Sequence, residues 1–420
     1  MPSHAFRIHG AGCGLADFIH RDIDFGAPEA LRLHSRKPGD GGLEMGKIVF
    51  QKDLLRFAGV SWESILRALT GSDAPPPAFN VGGPAVSALA LASQLLRPSK
   101  VPVTYYGVSG DDGPAASMRL LLSQTPLDIS CFRQRPGRTL STHVFNDPRA
   151  GRGSGDRFFV HQDSGGAEFD PALIGESFFQ AAVNLYAGTA LSPGLHRALP
   201  ALLQKGRRRG ALNIVGAVFD YASEKAAPGG PWYMGEGEAY PYMDLLVADA
   251  EEISGLAGKP PSAGSAGVEA AVDILIRRGL TTAVVTRNAE PVYYRSIGGV
   301  FGECRGYAPV HPELAEMCRD RIRHPGDTTG AGDNFLGGLL CDLMHQLLSD
   351  DFFPKGETHV ERELLQIAPL RLRRAIDFGI VAGGLACLQH GSIRVESGPG
   401  ERLAAIRSLL PRPLAAGRPW

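Results

Sequence analysis

Residues Asp327-Thr328-Thr329-Gly330-Ala331-Gly332-Asp333-Asn334-Phe335 form a glycine-rich turn that runs straight into an apolar stretch, 336–348. The chain must therefore organise itself around a helix entered through a turn with little side-chain bulk. Backbone N–H groups at a helix start lack an intrahelical partner and carry the positive end of the dipole. Gly330 and Gly332 let those groups converge on an anion with no Cβ in the way, which makes the turn a phosphate cradle. A carboxylate inside the cradle, Asp333, would repel a resting phosphate. Its presence points to general-base work on a hydroxyl that attacks the phosphate. The other reading of the same residues is a buried helix capped by Asp327 or Thr329.

Composition narrows the partners. With 43 Lys and Arg against 44 Asp and Glu in 420 residues, formal charge is near zero. No block of like charge is long enough to hold a nucleic-acid backbone or an acidic membrane, so a small-molecule partner is expected. Cys13, Cys131, Cys304, Cys318, Cys341 and Cys387 are scattered without a CxxC pair, as in reduced intracellular thiols. No apolar run reaches the length of a membrane span and no basic-then-apolar leader opens the chain, so a cytoplasmic protein is expected.

Strand and helix signals alternate through most of the chain, the pattern of a mostly parallel sheet covered by helices on both faces. Strands are expected at 182–186, 211–218, 245–248 and 282–286, and helices at 195–204, 268–278, 329–348, 370–388 and 402–410. Near the start, a strand leads into Gly10-Ala11-Gly12-Cys13-Gly14-Leu15-Ala16-Asp17. A dinucleotide fingerprint would need glycine where Leu15 stands. The region 31–77 is irregular around one expected helix, 52–69. Its Gly41-to-Lys47 spacing mimics a phosphate-binding P-loop, but Ile48 cannot ligate Mg²⁺ and no buried strand precedes it. Gly82 and Gly83 precede a helix that starts near Pro84, which suggests a hinge or a close backbone approach to ligand. Segments 139–146 and 157–162 read as an antiparallel pair. Asp249 and Glu252 end a strand at i, i+3 spacing, on one face of a first helical turn; capping is the plain reading.

The turn at 327–335 resembles the C-terminal signature of the ribokinase family, also called the PfkB carbohydrate kinases, and the resemblance extends over most of 8–392. It implies a ribokinase-like α/β domain over 1–400, with small β-lid elements within 18–78 and 138–163, and a C-terminal helix and loose tail over 401–420. By position, Gly330, Ala331 and Gly332 form the anion hole and Asp333 is the catalytic base. Asp17, Gly82, Gly83 and Ser87 stand where substrate is held, with Ser87 replacing the family's Asn. Arg157, in Gly155-Asp156-Arg157-Phe158, stands in a similar lid stretch, either facing an anionic substrate group or serving as a structural arginine. Asp249 replaces an Asn, and Glu252 matches a Glu, in the motif that organises Mg²⁺ through water. Asp327 stands near a monovalent cation, K⁺, in the family. On the nucleotide side Thr286, Asn288 and Gly332 are the expected ATP contacts. That side departs from the pattern: Asn288 and Pro291 replace glycines, and Ile380 replaces an adenine-side Asn.

The resemblance thus implies an ATP- and Mg²⁺-dependent kinase acting on a hydroxymethyl group of a sugar or sugar derivative. An adenosine or nucleoside kinase of the same fold is the alternative, since a long segment between Asp17 and Gly82 also occurs in that branch. From another class comes a sugar-sensing or scaffold protein with impaired turnover, which the altered nucleotide motifs favour and the intact Asp333 opposes. A homodimer is within what the resemblance allows.

Overall fold

The computed structural model describes residues 6–37, 39–150, 156–162, 168–235, 238–262, 264–320, 326, 328–349 and 369–410. Nine described strands build the main sheet: β1 (Ile8–Gly12), β5 (Val103–Ser109), β6 (Phe132–Gln134), β9 (Val183–Ala187), β10 (Leu212–Gly216), β11 (Leu245–Asp249), β12 (Thr282–Arg287), β13 (Glu290–Ile297) and β14 (Glu303–Ala308). Their order is β14-β13-β12-β11-β10-β9-β1-β5-β6. From β6 to β12 all neighbours run parallel, and β13 and β14 extend the edge antiparallel.

The parallel strands are apolar at successive positions because both faces are covered. Leu245 and Val247 enter one core with the helices Pro84–Leu96, Ala331–Leu347 and Leu372–Ala386. Leu246 and Ala248, pointing the other way, pack with the helices Pro193–Arg208, Ala250–Ala257 and Ser265–Arg277. This is the expected architecture. The last two strands were not expected: the β12–β13 hairpin turns through Asn288 and Ala289, with Asn288 at φ 53° in the left-handed region that Asn tolerates.

A second sheet holds β2 (Leu15–His20), β3 (Ile48–Phe50), β4 (Ala78–Gly82), β7 (Ser141–Asp147) and β8 (Asp156–Gln162), in the order β3-β8-β7-β2-β4. The chain leaves the main sheet after Gly12 and enters it through Cys13-Gly14. The expected hairpin is the antiparallel pair β7–β8, with Asn146 opposite Arg157. Strand alternation sorts its side chains. Phe145, Phe158 and Val160 face one way and pack on Leu54, Ile65 and Leu69. Those three come from two helices, Gln51–Ala58 and Trp62–Thr70, where one had been expected over 52–69. Gly59 at φ 67° closes the first, and the Ser61 hydroxyl accepts from the Ser64 N–H to open the second.

All six cysteines are free, and among the described residues no helix is long and apolar enough to cross a membrane.

Candidate active site

The helix Ala331–Leu347 starts two residues later than the expected 329, with Gly330 at φ 74° as its N-cap and no side-chain bond at the cap. The alternative of a cap by Thr329 is therefore not realised, and Asp327 lies outside the described residues. A Cβ on Gly330 would sit 2.3 Å from Ser392 Oγ, so both the left-handed backbone and the neighbouring chain require glycine there. Gly332 faces open space. The turn thus leaves its first amides uncovered by any side-chain cap. Asn334 steadies it from behind, donating through Nδ2 to the carbonyls of Gly330 at 2.8 Å and Ser392 at 2.9 Å.

Asp333 occupies the first turn of this helix. It keeps some contact with solvent, yet the surrounding protein desolvates its carboxyl and pushes its pKa up to about 7. A carboxylate poised there can accept a proton near neutral pH.

Asp17, on β2, is buried. Gly82, on β4, lies against it: a Cβ on Gly82 would meet Asp17 Oδ2 at 2.0 Å, so only glycine leaves room for that carboxylate. Gly83 caps the helix Pro84–Leu96 at φ 103°, and a Cβ there would sit 2.7 Å from the Cys13 carbonyl oxygen. Burial raises the Cys13 thiol pKa far above its ordinary value, and the charges of Asp333 and then Asp17 add to the shift. Asp333 and Asp17 therefore lie within electrostatic reach of one residue, Cys13, which sequence reasoning had not singled out. Ser87 is fully buried in the same helix start, and its Oγ has no hydrogen-bond partner among the described residues.

Asp249 and Glu252 cap the helix Ala250–Ala257 reciprocally. Asp249 Oδ1 accepts from Glu252 N at 2.7 Å, and Glu252 Oε2 accepts from Asp249 N at 2.8 Å. The plain capping reading is realised, and it uses one oxygen of each carboxylate. Burial raises both pKa values; that of Glu252 lies well above its ordinary value, with the charges of Asp249 and Asp333 adding to the effect. Acids held against one another in this way would gain from a cation. Among the described residues no three His, Cys, Asp or Glu side chains are placed to hold a metal ion directly. The pair fits Mg²⁺ held through water and phosphate oxygens, since that ion keeps much of its hydration shell.

Thr286 pairs with Asp249 across β11 and β12, which sets it on the acid pair's side of the sheet. Asn288 sits in the exposed hairpin turn beyond it. Arg157, on β8, stacks over Phe159 with 5.0 Å to the ring centroid and donates to the Thr328 hydroxyl, two residues before Gly330.

An open cleft of about 1230 Å³ runs beside these residues, lined among others by Cys13, Phe50, His161, Phe219, Tyr221 and Trp232. Asp333 is not part of its wall, and the cleft reaches the chain beside Asp17 and Gly83 at Gly12-Cys13-Gly14. Sequence reasoning missed His161, Tyr221 and Trp232. His161 was within reach of it, because the β8 alternation puts His161 on the same face as Arg157.

Comparison with known proteins identifies the family and the fold. The family model described as pfkB family carbohydrate kinase matches residues 70–397, well over half of the chain. No curated protein matches it by sequence. Among solved structures the chain is similar to Arabidopsis thaliana ribokinase complexed with ribose and ATP, at 14% identity and TM-score 0.60, covering 96% of this chain and 99% of that one. It is similar to adenosine kinase from Sinorhizobium meliloti at 16% identity and TM-score 0.64, with the same coverage of 96% and 99%. An E. coli structure containing ATP and Mg²⁺ matches at 15% identity and TM-score 0.60, again over 96% and 99%. The family match takes in the Gly82-Gly83 pair, the acid pair and the helix that carries Asp333, and on that ground the chain belongs to the pfkB family of carbohydrate kinases.

Proposed function

We propose that the protein transfers the γ-phosphoryl group of ATP, with Mg²⁺, to a hydroxymethyl group of a sugar or nucleoside. The observation that carries this reading is Asp333, its pKa near 7, in the first turn of a helix whose amides are left uncapped. Asp17, the backbone at Gly82 and Gly83, and Ser87 hold the acceptor. Asp333 takes the proton from the attacking hydroxyl. The amides of Gly330, Ala331 and Gly332 receive the charge that spreads over the phosphoryl oxygens. Asp249 and Glu252 would hold Mg²⁺ through water, and the ion would supply charge neutralisation at the phosphates. Thr286 and the exposed Gly332 lie on the nucleotide side. The smaller sheet acts as the lid, and its Arg157–Thr328 bond marks where it meets the phosphate turn. Free cysteines fit a reducing, cytoplasmic setting.

One observation favours a nucleoside over a bare sugar: the cleft beside Cys13 carries an aromatic cluster. The Phe219 ring lies 4.5 Å from Tyr221 and 4.7 Å from Trp232, centroid to centroid. Such a wall suits a flat base better than a hydroxylated ring alone.

The test is a phosphorylation screen with ATP and Mg²⁺ against hexoses, pentoses, sugar acids, phosphosugars and nucleosides, read as ADP release and product mass. A phosphorylated acceptor in the nucleoside arm selects that substrate class. Sugar binding with no turnover in any arm would overturn the kinase reading in favour of a sensor.

A further inference from the structure

The C-terminal helix Glu401–Leu409 looks peripheral in sequence, yet one of its side chains reaches the catalytic turn. Arg402 donates through Nη2 to Asn334 Oδ1 at 3.2 Å and through Nη1 to the carbonyl of Arg394 at 3.0 Å. Both acceptors are neutral. Asn334 is fully buried, and its Nδ2 holds the carbonyls of Gly330 and Ser392. With its Oδ1 taken by Arg402, the amide has only one orientation that satisfies all these contacts.

Ser392 belongs to a strap, residues 391–396, that is fastened on the acceptor side as well. Asn80 on β4 exchanges two hydrogen bonds with Ile393, each of 3.0 Å. Gln94 donates to the Arg394 carbonyl at 3.1 Å and accepts from Glu396 N at 2.7 Å. Arg402 therefore closes a loop of bonds running from the strand beside Asp17, through the strap, to the turn before Asp333.

The charge is in an unusual place. A cation near a helix N-terminus opposes the dipole, and burial lowers the Arg402 pKa to about 10. Among the described residues no carboxylate is bonded to this partly exposed guanidinium, and Glu396 and Glu401 favour its charge only through space. The charge is understandable beside a turn that receives phosphate.

We propose that Arg402 is a positioning residue for phosphoryl transfer, locking the Asn334 amide so that Gly330 and the amides after it keep the geometry that receives the phosphoryl group. The inference rests on the kinase reading. Arg402 touches neither substrate nor Asp333; it acts through Asn334.

The experiment compares steady-state kinetics of the full-length wild type with Arg402→Met, Arg402→Lys, Asn334→Ala and the double variant Arg402→Met/Asn334→Ala. All are assayed with ATP, Mg²⁺ and an acceptor that the wild type phosphorylates, well below their melting temperatures. A misplaced anion hole should lower kcat by about 10–100-fold in Arg402→Met and leave both KM values within about threefold. Arg402→Lys, which can still donate to Asn334 Oδ1, should recover most of the rate. The double variant should be no slower than Asn334→Ala, because the two side chains act in series. Normal kcat in Arg402→Met, or additive losses in the double variant, overturns the inference and leaves the kinase reading intact. Should Arg402→Met fail to fold, Arg402→Gln, polar but too short to reach Asn334 Oδ1, takes its place: a kcat loss with unchanged KM supports the inference, and a normal kcat overturns it. A wild type that phosphorylates no acceptor overturns the kinase reading, and this inference falls with it.

Discussion

Arg157 reaches from β8 of the smaller sheet to the hydroxyl of Thr328, so a side chain of one sheet is tied to the backbone turn that opens the helix of Asp333. The guanidinium also sits over the Phe159 ring, 5.0 Å from its centroid, a second contact that limits the direction from which it approaches. A tether at this point ties the position of the smaller sheet to the turn that opens the helix of Asp333.

Arg157→Met should loosen that tether without removing any group from the chemistry. We expect the acceptor KM to rise about tenfold, the cost of roughly one charge-assisted hydrogen bond, with kcat changed much less. Acceptor-dependent kinetics check this, and a kcat loss with unchanged KM would place Arg157 on the transferring phosphate instead.

Asp333→Asn tests the base. The amide keeps the size and much of the hydrogen bonding of the carboxylate but cannot take a proton, so turnover should fall by about 10²–10⁴ while ATP and acceptor still bind. Calorimetric binding is the control. In the wild type, kcat/KM should rise with pH to a plateau, with a midpoint near 7 set by this carboxyl. A flat profile from pH 5 to 9 would mean that Asp333 is ionised throughout and that its burial matters little.

The same carboxyl makes a stability prediction of known sign. Its folded-state pKa of about 7 lies above the ordinary value of 3.8, so between those limits the folded protein binds more protons than the unfolded chain. Stability from this group is present at low pH and is lost as pH rises through that window. Asp333→Asn removes the cost of the desolvated charge. Its melting temperature should exceed that of the wild type at pH 8, and the difference should shrink toward pH 4. Calorimetric melts across that range check it; an Asn variant less stable at pH 8 would show that the ionised carboxylate is favourably held.

The legible parts of this protein are those where backbone geometry dictates residue type. The helix entered through Gly330 could be read directly, because a glycine-rich turn before an apolar run marks a helix start, and Gly330 does stand at the N-cap at φ 74°. Gly82 was legible for a related reason, and the structure supplies it: the Asp17 carboxylate occupies the space a Cβ would take. The strands β13 and β14 were missed because Asn288, weighed as a nucleotide contact, serves as the hairpin corner that starts them. The break at Gly59-Val60-Ser61 was lost inside an otherwise helical pattern, although a C-cap glycine followed by an N-cap serine is a local signal. Arg402 had no such signal. Its bond to Asn334 spans 68 residues and exists only because the strap 391–396 folds between them.

The acid pair separates capping from metal work. Asp249→Ala and Glu252→Ala each remove one half of the capping box, which should cost about 0.5–2 kcal/mol of stability whatever else the residues do. If the pair also holds Mg²⁺ through water, each variant should need more Mg²⁺ for half-maximal turnover and lose kcat, while acceptor affinity stays close to that of the wild type. Magnesium titrations at saturating ATP check this, and an unchanged magnesium response would reduce both acids to caps.

The smaller sheet bears on oligomeric state. Its face away from Asp17 is already covered: Phe145, Phe158 and Val160 pack on Leu54, Ile65 and Leu69, and the His143 ring meets Trp62 edge-on at 4.9 Å. An open sheet with an apolar face would need a second copy to bury it, but here the chain's own helices Gln51–Ala58 and Trp62–Thr70 do so. We therefore expect the protein to sediment as a single chain of 44.7 kDa rather than as a dimer formed through this sheet. Leu54→Ala is the sensitive variant, because Leu54 is fully buried at the centre of that contact and its truncation should cost about 2–5 kcal/mol locally. With the cover loosened, the variant should begin to self-associate while the wild type does not. Sedimentation of both proteins over a range of concentrations decides it. A wild-type species of twice the mass, weakened rather than promoted by Leu54→Ala, would show that these helices build an interface instead of replacing one.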